Sequence, residues 1–213
     1  MKKVLFVLVL AAAFAFAIES CPVEDPLPGT SGTDAVLQYD DGTAAWIWSG
    51  LLHIGPWFDV TDFDAAAVGF DCNYTEWWFY HHATYPWDTD LISGELWTGD
   101  AVTWPVTNLT ADTFTALHYA PAYVLYSPAV STGTDFWMIA NTTIHSTLGR
   151  PSALYDGTTN FTGVPHTFYS QDWVLWNTVN SGGIDIDVFF RVEGLISTAL
   201  ERSSWAAIKG LFR

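Results

Sequence analysis

The chain has 213 residues, a formal charge of −16 and only two cysteines. A surface so acidic repels phosphate backbones and anionic membranes, which excludes nucleic-acid binding, and two cysteines cannot build a disulfide scaffold. Half of the residues are hydrophobic and 16% are aromatic, with 12 Trp, 14 Phe and 9 Tyr, a load that a disordered chain does not carry and that suits pleated, half-buried strands.

The N-terminus reads Met1-Lys2-Lys3, an apolar run from Val4 to Phe16, then Ala15-Phe16-Ala17. A positive segment, an apolar segment and a small-x-small site in that order predict a cleavable secretory signal peptide over 1–17. The run stops at Ile18-Glu19, short of the ~20 residues that span a bilayer, and no later segment is long and apolar enough to span. Ile18-Glu19-Ser20-Cys21 is an imperfect lipobox, so lipid attachment at Cys21 stands as the alternative to cleavage after Ala17. Removing Lys2 and Lys3 takes the charge to −18, and between residues 18 and 200 the only basic side chains are Arg150 and Arg191. Localisation is expected to be secreted, extracellular or attached at the cell surface.

Residues 18–34 hold Pro22, Pro26, Pro28, Gly29 and Gly32 and read as an extended leader. The domain, 35–196, opens on Ala35–Tyr39 and the turn Asp40-Asp41-Gly42-Thr43. Apolar-polar alternations, broken about every ten residues by Gly, Pro, Asp and Asn, predict an all-β fold: a single antiparallel β-sandwich, jelly-roll-like. The expected strands are Ala44–Ser49, Ala67–Tyr74, Trp77–Thr84, Leu91–Thr98, Phe114–His118, Tyr123–Tyr126, Asp135–Thr142, Asp172–Asn177 and Ile184–Val192. In the last, Ile184, Ile186, Val188, Phe190 and Val192 form the apolar face, with Asp185, Asp187, Phe189 and Arg191 opposite. In Val68–Tyr74, alternation places Val68, Phe70, Cys72 and Tyr74 on one face, making Cys72 a small buried hydrophobe rather than the partner of Cys21. In the tail, 197–213, Ser203-Ser204 can cap a short C-terminal helix Trp205–Phe212.

Several of these segments resemble one group of exported domains. Tyr39-Asp40-Asp41-Gly42-Thr43, Gly133–Ile139, Arg150-Pro151-Ser152, Tyr155-Asp156-Gly157, Asp172-Trp173 and Ile186–Arg191 are together similar to bacterial secreted β-sandwich surface domains that open on Tyr-Asp-Asp-Gly-Thr. The resemblance covers about residues 37–193, and the segment Ser204–Arg213 is similar to short C-terminal tails on exported proteins of the same bacteria. It implies a non-catalytic surface module and carries over no catalytic residue.

The residues agree. There is no Gly-x-Ser-x-Gly elbow, and no His stands in a recognisable Ser or Cys context. His81 and His82 are adjacent, hence on opposite faces of a strand, and no His-Glu-x-x-His or Cys/His pattern offers zinc ligands. Of the mature chain's six glutamates, Glu19, Glu24 and Glu201 lie in the leader and tail, which leaves Glu76, Glu95 and Glu193 in the domain and weakens a glycosidase reading. Asp59, Asp62 and Asp64 crowd one loop, and Asp88 with Asp90 another. They are calcium candidates as oxygen donors, although loop aspartates more often bond their own backbone. Otherwise no cofactor is expected.

Glu76-Trp77-Trp78-Phe79-Tyr80-His81-His82 is aromatic on both faces. Either one face is exposed and Trp77, Trp78 and Tyr80 form a carbohydrate-binding platform, or both are buried, one under a loop. Four Asn-x-Thr sequons, at Asn73, Asn108, Asn141 and Asn160, are glycosylation candidates. The expected function is a non-catalytic extracellular or cell-surface structural or adhesion module. Alternatives are a carbohydrate-binding module and a self-assembling fibre or surface-layer subunit. Expected partners are glycans, other surface proteins or further copies of the chain.

Overall fold

The computed structural model describes residues 34–81, 87–146, 149–181 and 184–199. The expected signal peptide, all of the expected leader but Asp34, Cys21 and the expected tail helix lie outside the described residues.

Among the described residues the regular secondary structure is almost entirely strand. In order these are β1 (Ala35–Leu37), β2 (Trp46–Trp48), β3 (His53–Asp59), β4 (Ala67–Tyr80), β5 (Leu91–Thr98), β6 (Thr107–Thr115), β7 (Pro121–Ser131), β8 (Asp135–Asn141), β9 (Ser152–Tyr155), β10 (Thr167–Ser170), β11 (Trp176–Thr178), β12 (Asn180–Ser181), β13 (Ile184–Asp185) and β14 (Phe190–Thr198). Six form a first sheet in the order β1-β14-β4-β9-β2, with β7 also paired to β4, and six form a second in the order β11-β10-β3-β8-β5-β6. All strand ladders in the two sheets are antiparallel. Side chains from both sheets meet in one core, among them Phe70, Trp77, Phe79, Phe190 and Val192 from the first and Ile54, Phe58, Leu96, Phe136 and Met138 from the second. The expected all-β sandwich is therefore what the residues build.

β4 shows how local sequence sets the faces. It was expected as two strands but runs unbroken for 14 residues. Phe70 and Cys72 face the core; then Tyr74 pairs with Glu193 and Cys72 with Gly194, leaving Asn73 as the extra residue of a β-bulge. The bulge shifts the phase, so that Trp77 and Phe79 face the core while Tyr74, expected beside Cys72, turns to the outer face. There its hydroxyl donates to Glu193. Gly194 is needed at this bulge, because a Cβ would lie 2.0 Å from the Asp71 carbonyl oxygen. Cys72 is a fully buried free thiol, and burial pushes its pKa far up.

Four strands lack the expected form. β3 was not anticipated, because Gly55-Pro56 reads as a breaker. Its glycine is what allows β8 to approach, since a Cβ there would meet the Met138 carbonyl oxygen at 1.7 Å. β9 and β10 are short and were missed. The strand expected at Ile184–Val192 is broken after Asp185 and resumes at Phe190, running to Thr198 beyond the expected domain limit. Ile186, Val188, Phe190 and Val192 still share the core. The opposite face is not the solvated one: Asp187 and Arg191 are buried as well.

Candidate functional site

The outer face of the second sheet carries a layer of indoles. Residues alternate across a strand, so with Ile54 and Phe58 inward, His53 and Trp57 point outward from β3. Trp57 pairs with Trp137 of β8, and Trp137 pairs with Trp97 of β5. Three tryptophans thus stand in one cross-strand row, where direct neighbours interact most strongly. Trp137 is fully buried while Trp57 and Trp97 are half-buried.

Two loops close over this row by the same device. After β5, Asp100 accepts the backbone N–H groups of Val102 and Thr103, at 2.8 and 2.6 Å. After β10, Asp172 accepts those of Val174 and Leu175, at 2.9 and 2.8 Å. These hydrogen bonds hold both carboxyls below the usual carboxylate range. Each loop then sets one tryptophan in the left-handed region, Trp104 at φ 60° and Trp173 at φ 65°. A bulky residue there is strained by ~1–3 kcal/mol, a cost found mostly at functional positions. Trp104 packs 6.0 Å from Trp137 and 5.6 Å from Phe168. Trp173 lies 4.8 Å from Trp97 and 5.4 Å from Trp176. Beside them the loop tips expose aliphatic side chains, with Val102 84%, Val174 72%, Leu175 67% and Val106 61% accessible.

One end of this face is polar. Ser170, His53, Asn141 and Ser93 stand in register across β10, β3, β8 and β5. Glu95, buried beside them, accepts from Trp97 Nε1 at 2.7 Å, Asn141 Nδ2 at 2.8 Å and Ser93 Oγ at 3.2 Å. His53 is buried against the edge of Trp173, ring centroids 4.6 Å apart, and burial lowers its pKa despite the nearby Glu95 and Asp172 charges.

A different group, with members from three of the segments on which the family resemblance rests, reaches from Arg191 on the outer face of the first sheet to Thr167 on β10 of the second. Asp40, Asp156 and Arg191 were not singled out as site residues, and they converge. Arg191 donates Nε to Asp40 Oδ2 at 3.0 Å, Nη2 to Asp40 Oδ1 at 2.6 Å and Nη1 to Glu76 Oε1 at 3.1 Å. Its guanidinium lies over the Phe189 ring at 5.2 Å. Asp156 accepts the backbone N–H of Asp41 at 3.2 Å and of Asp187 at 2.8 Å, and Asp187 accepts Thr167 Oγ1 at 3.0 Å. Burial raises the carboxyls of Asp156 to about 8 and Asp187 to about 7. The group clasps the start of the domain to β9 and β14. Charged residues widely separated in a chain give no periodic pattern, which is why alternation alone did not show it.

The residues chosen from sequence are dispersed. Trp77 is fully buried in the main core and Trp78 is 4% exposed in a smaller cluster with Ala44, Leu154 and Phe189; neither ring offers a flat face to a ligand. Tyr80 is half-buried against His118 and Tyr119. The buried-on-both-sides alternative holds for this strand.

Asp59 turns back to Thr61 N and Oγ1, Asp62 accepts from Tyr39 Oη at 2.8 Å, and Asp64 caps Ala66 N. Each has its own partner, Asp62 also lying 3.4 Å from His166 Nε2, and among the described residues no three or more His, Cys, Asp or Glu side chains converge as a metal site. Of the sequons, Asn108 is exposed on β6. Asn73 is half-buried and bonds Asp34, Asn141 bonds Glu95, and the buried Asn160 bonds Val164 O and Asp185. No protein-family model, curated protein or solved structure matches the chain.

Proposed function

We propose that this chain is a non-catalytic adhesion module of the cell exterior that makes its contact through the outer face of the second sheet. One observation carries the reading: a layer of half-buried indoles, rimmed by exposed valine and leucine side chains on two strained loops, on a face that another molecule can reach. Contiguous apolar surface of this kind marks interaction sites, and aromatic residues dominate the energy of contacts made there. Secretion through the 1–17 segment is part of the same reading. So is a jelly-roll arrangement, supported by the connections β2–β3, β3–β4, β4–β5, β6–β7, β7–β8, β8–β9 and β9–β10, each of which crosses between the sheets.

The test is binding of the labelled mature chain to the surface of the producing cells. Val102→Asp and Leu175→Asp place charge on the exposed rim without touching the core. The double variant is expected to lose binding while keeping the wild-type melting temperature. Undiminished binding by that variant, or none by the wild type, refutes the reading.

A further inference from the structure

The polar end of the indole-layered face contains two buried side-chain nitrogens that make no close hydrogen bond. Arg150 is 8% exposed. It donates Nη1 to the Gly50 carbonyl at 2.7 Å, and its Nε is buried without a partner. Among the described residues no carboxylate forms an ion pair with it. His53, 7% exposed, lies beside the Ser170 backbone, and its Nδ1 is buried without a close hydrogen bond. Gln171 brings the two neighbourhoods together, because its Nε2 donates to the same Gly50 carbonyl at 3.3 Å. It follows Ser170, which pairs with His53 across β10 and β3, and precedes Asp172 and Trp173. An unmade buried hydrogen bond costs ~1–3 kcal/mol, and more when the group is charged. Folded proteins leave few such groups, and each calls for an explanation.

We propose that this end of the face binds an uncharged pyranose saccharide, with a sugar ring laid on Trp173, Trp97 tilted beside it at 52°, and its hydroxyls engaged by Arg150, Gln171, His53 and Asp172. A pyranose has an apolar C–H face that matches an indole. Its rim of hydroxyl groups both donates and accepts hydrogen bonds. The site supplies the complement: half-buried rings in contact at 4.8 Å, guanidinium and amide donors, and an exposed Asp172 carboxylate. A few convergent polar groups beside aromatic walls are the usual make-up of a small-molecule site. Charge selects among sugars, because a mature chain of −18 repels polymers of uronic or sialic acids over long range. The inference rests on this face being the contact surface, and it names what the contact recognises.

The test is titration calorimetry of the mature chain at neutral pH against neutral gluco-, xylo-, manno- and galacto-oligosaccharides, with oligogalacturonate as the charged comparison. Saturable binding of at least one neutral series is expected, weakened tenfold or more by Trp173→Ala and by Arg150→Gln and unchanged by Leu125→Ala on the far sheet. Melting curves establish that each variant folds. Should Arg150→Gln fail to fold, the exposed Gln171→Ala takes its place, with a loss of threefold or more expected. No binding across the neutral series, a preference for oligogalacturonate, or binding indifferent to Trp173→Ala overturns the proposal. Retention of the rim-dependent cell-surface contact alongside such a failure would refute the saccharide alone and leave the adhesive face standing.

Discussion

Arg191 and Asp40 form two parallel hydrogen bonds across 151 positions of sequence, with both side chains almost entirely removed from water. The fork geometry of a guanidinium on a carboxylate is the strongest form such a pair takes. Removing one member strands the other as a buried charge, which costs about 3–5 kcal/mol. Arg191→Met is expected to lower the unfolding free energy by that amount in urea titration. The double variant Arg191→Met with Asp40→Leu is expected to recover part of it, because the fully buried Asp40 charge is then gone and Glu76, which also loses Arg191, still accepts from Trp78 Nε1.

Stability should peak in mildly acidic solution. Burial raises Asp156 to about 8, Asp187 to about 7 and Asp185 to about 6. A carboxyl whose folded pKa lies above its unfolded value contributes fully below that unfolded value. Its contribution declines as pH rises above the unfolded value near 3.8 and is gone once the folded values, about 6 to 8, are passed. Burial lowers His53 and His166, so their neutral forms are favoured and their contribution is lost as pH falls below the unfolded histidine value near 6.5. Melting temperature measured across pH should fall on both sides, and Asp156→Asn should flatten the alkaline limb.

Gly55 and Gly133 separate two reasons for having glycine. A Cβ at Gly55 would lie 1.7 Å from the Met138 carbonyl oxygen, whereas at Gly133, with φ 81°, nothing lies within 4 Å. Gly55→Ala must push β3 from β8 and is expected to cost more than ~4 kcal/mol, or to abolish folding. Gly133→Ala meets only the left-handed backbone penalty of ~1–2 kcal/mol. Chemical denaturation of the two variants compares them directly.

Asn108 should be the glycan carrier. In the folded material secreted by a glycosylating host, peptide mapping is expected to find sugar at Asn108. Asn160 should be unmodified, because its Nδ2 is spent on Val164 O and Asp185 inside the fold. Asn108→Gln should then remove most of the mass shift.

Cys72 should resist thiol reagents until the domain opens. Its burial and raised pKa leave almost no thiolate at neutral pH. Labelling at Cys72, resolved from that at Cys21 by peptide mapping, is expected to track urea unfolding and to be negligible in buffer.

Alternation along the sequence was enough to find β5 and β8, because Leu91–Thr98 and Asp135–Asn141 pair with each other in unbroken register. It misjudged β4, where one extra residue at Asn73 reverses which side chains face inward, and β3, where a glycine and a proline look like a turn yet permit a close strand approach. Aromatic content pointed to ring-mediated contact but not to the surface that makes it. Trp77 and Trp78 are adjacent in sequence, while Trp57, Trp97 and Trp137 become neighbours only once β3, β8 and β5 are paired. Nor did composition separate a solvated aspartate from Asp187, whose burial depends on Thr167 and Asp156 being brought to it.

The outer indoles also give the molecule an optical signature. Trp104, Trp137, Trp176, Trp173 and Trp97 form a continuous chain of ring pairs with centroids 4.8 to 6.0 Å apart. Transition dipoles that close couple, so the ultraviolet circular dichroism should contain an exciton couplet superimposed on the strand spectrum. That couplet reads the two loops and not the core, and unlabelled protein would report whether a bound molecule has moved Trp173 against Trp97.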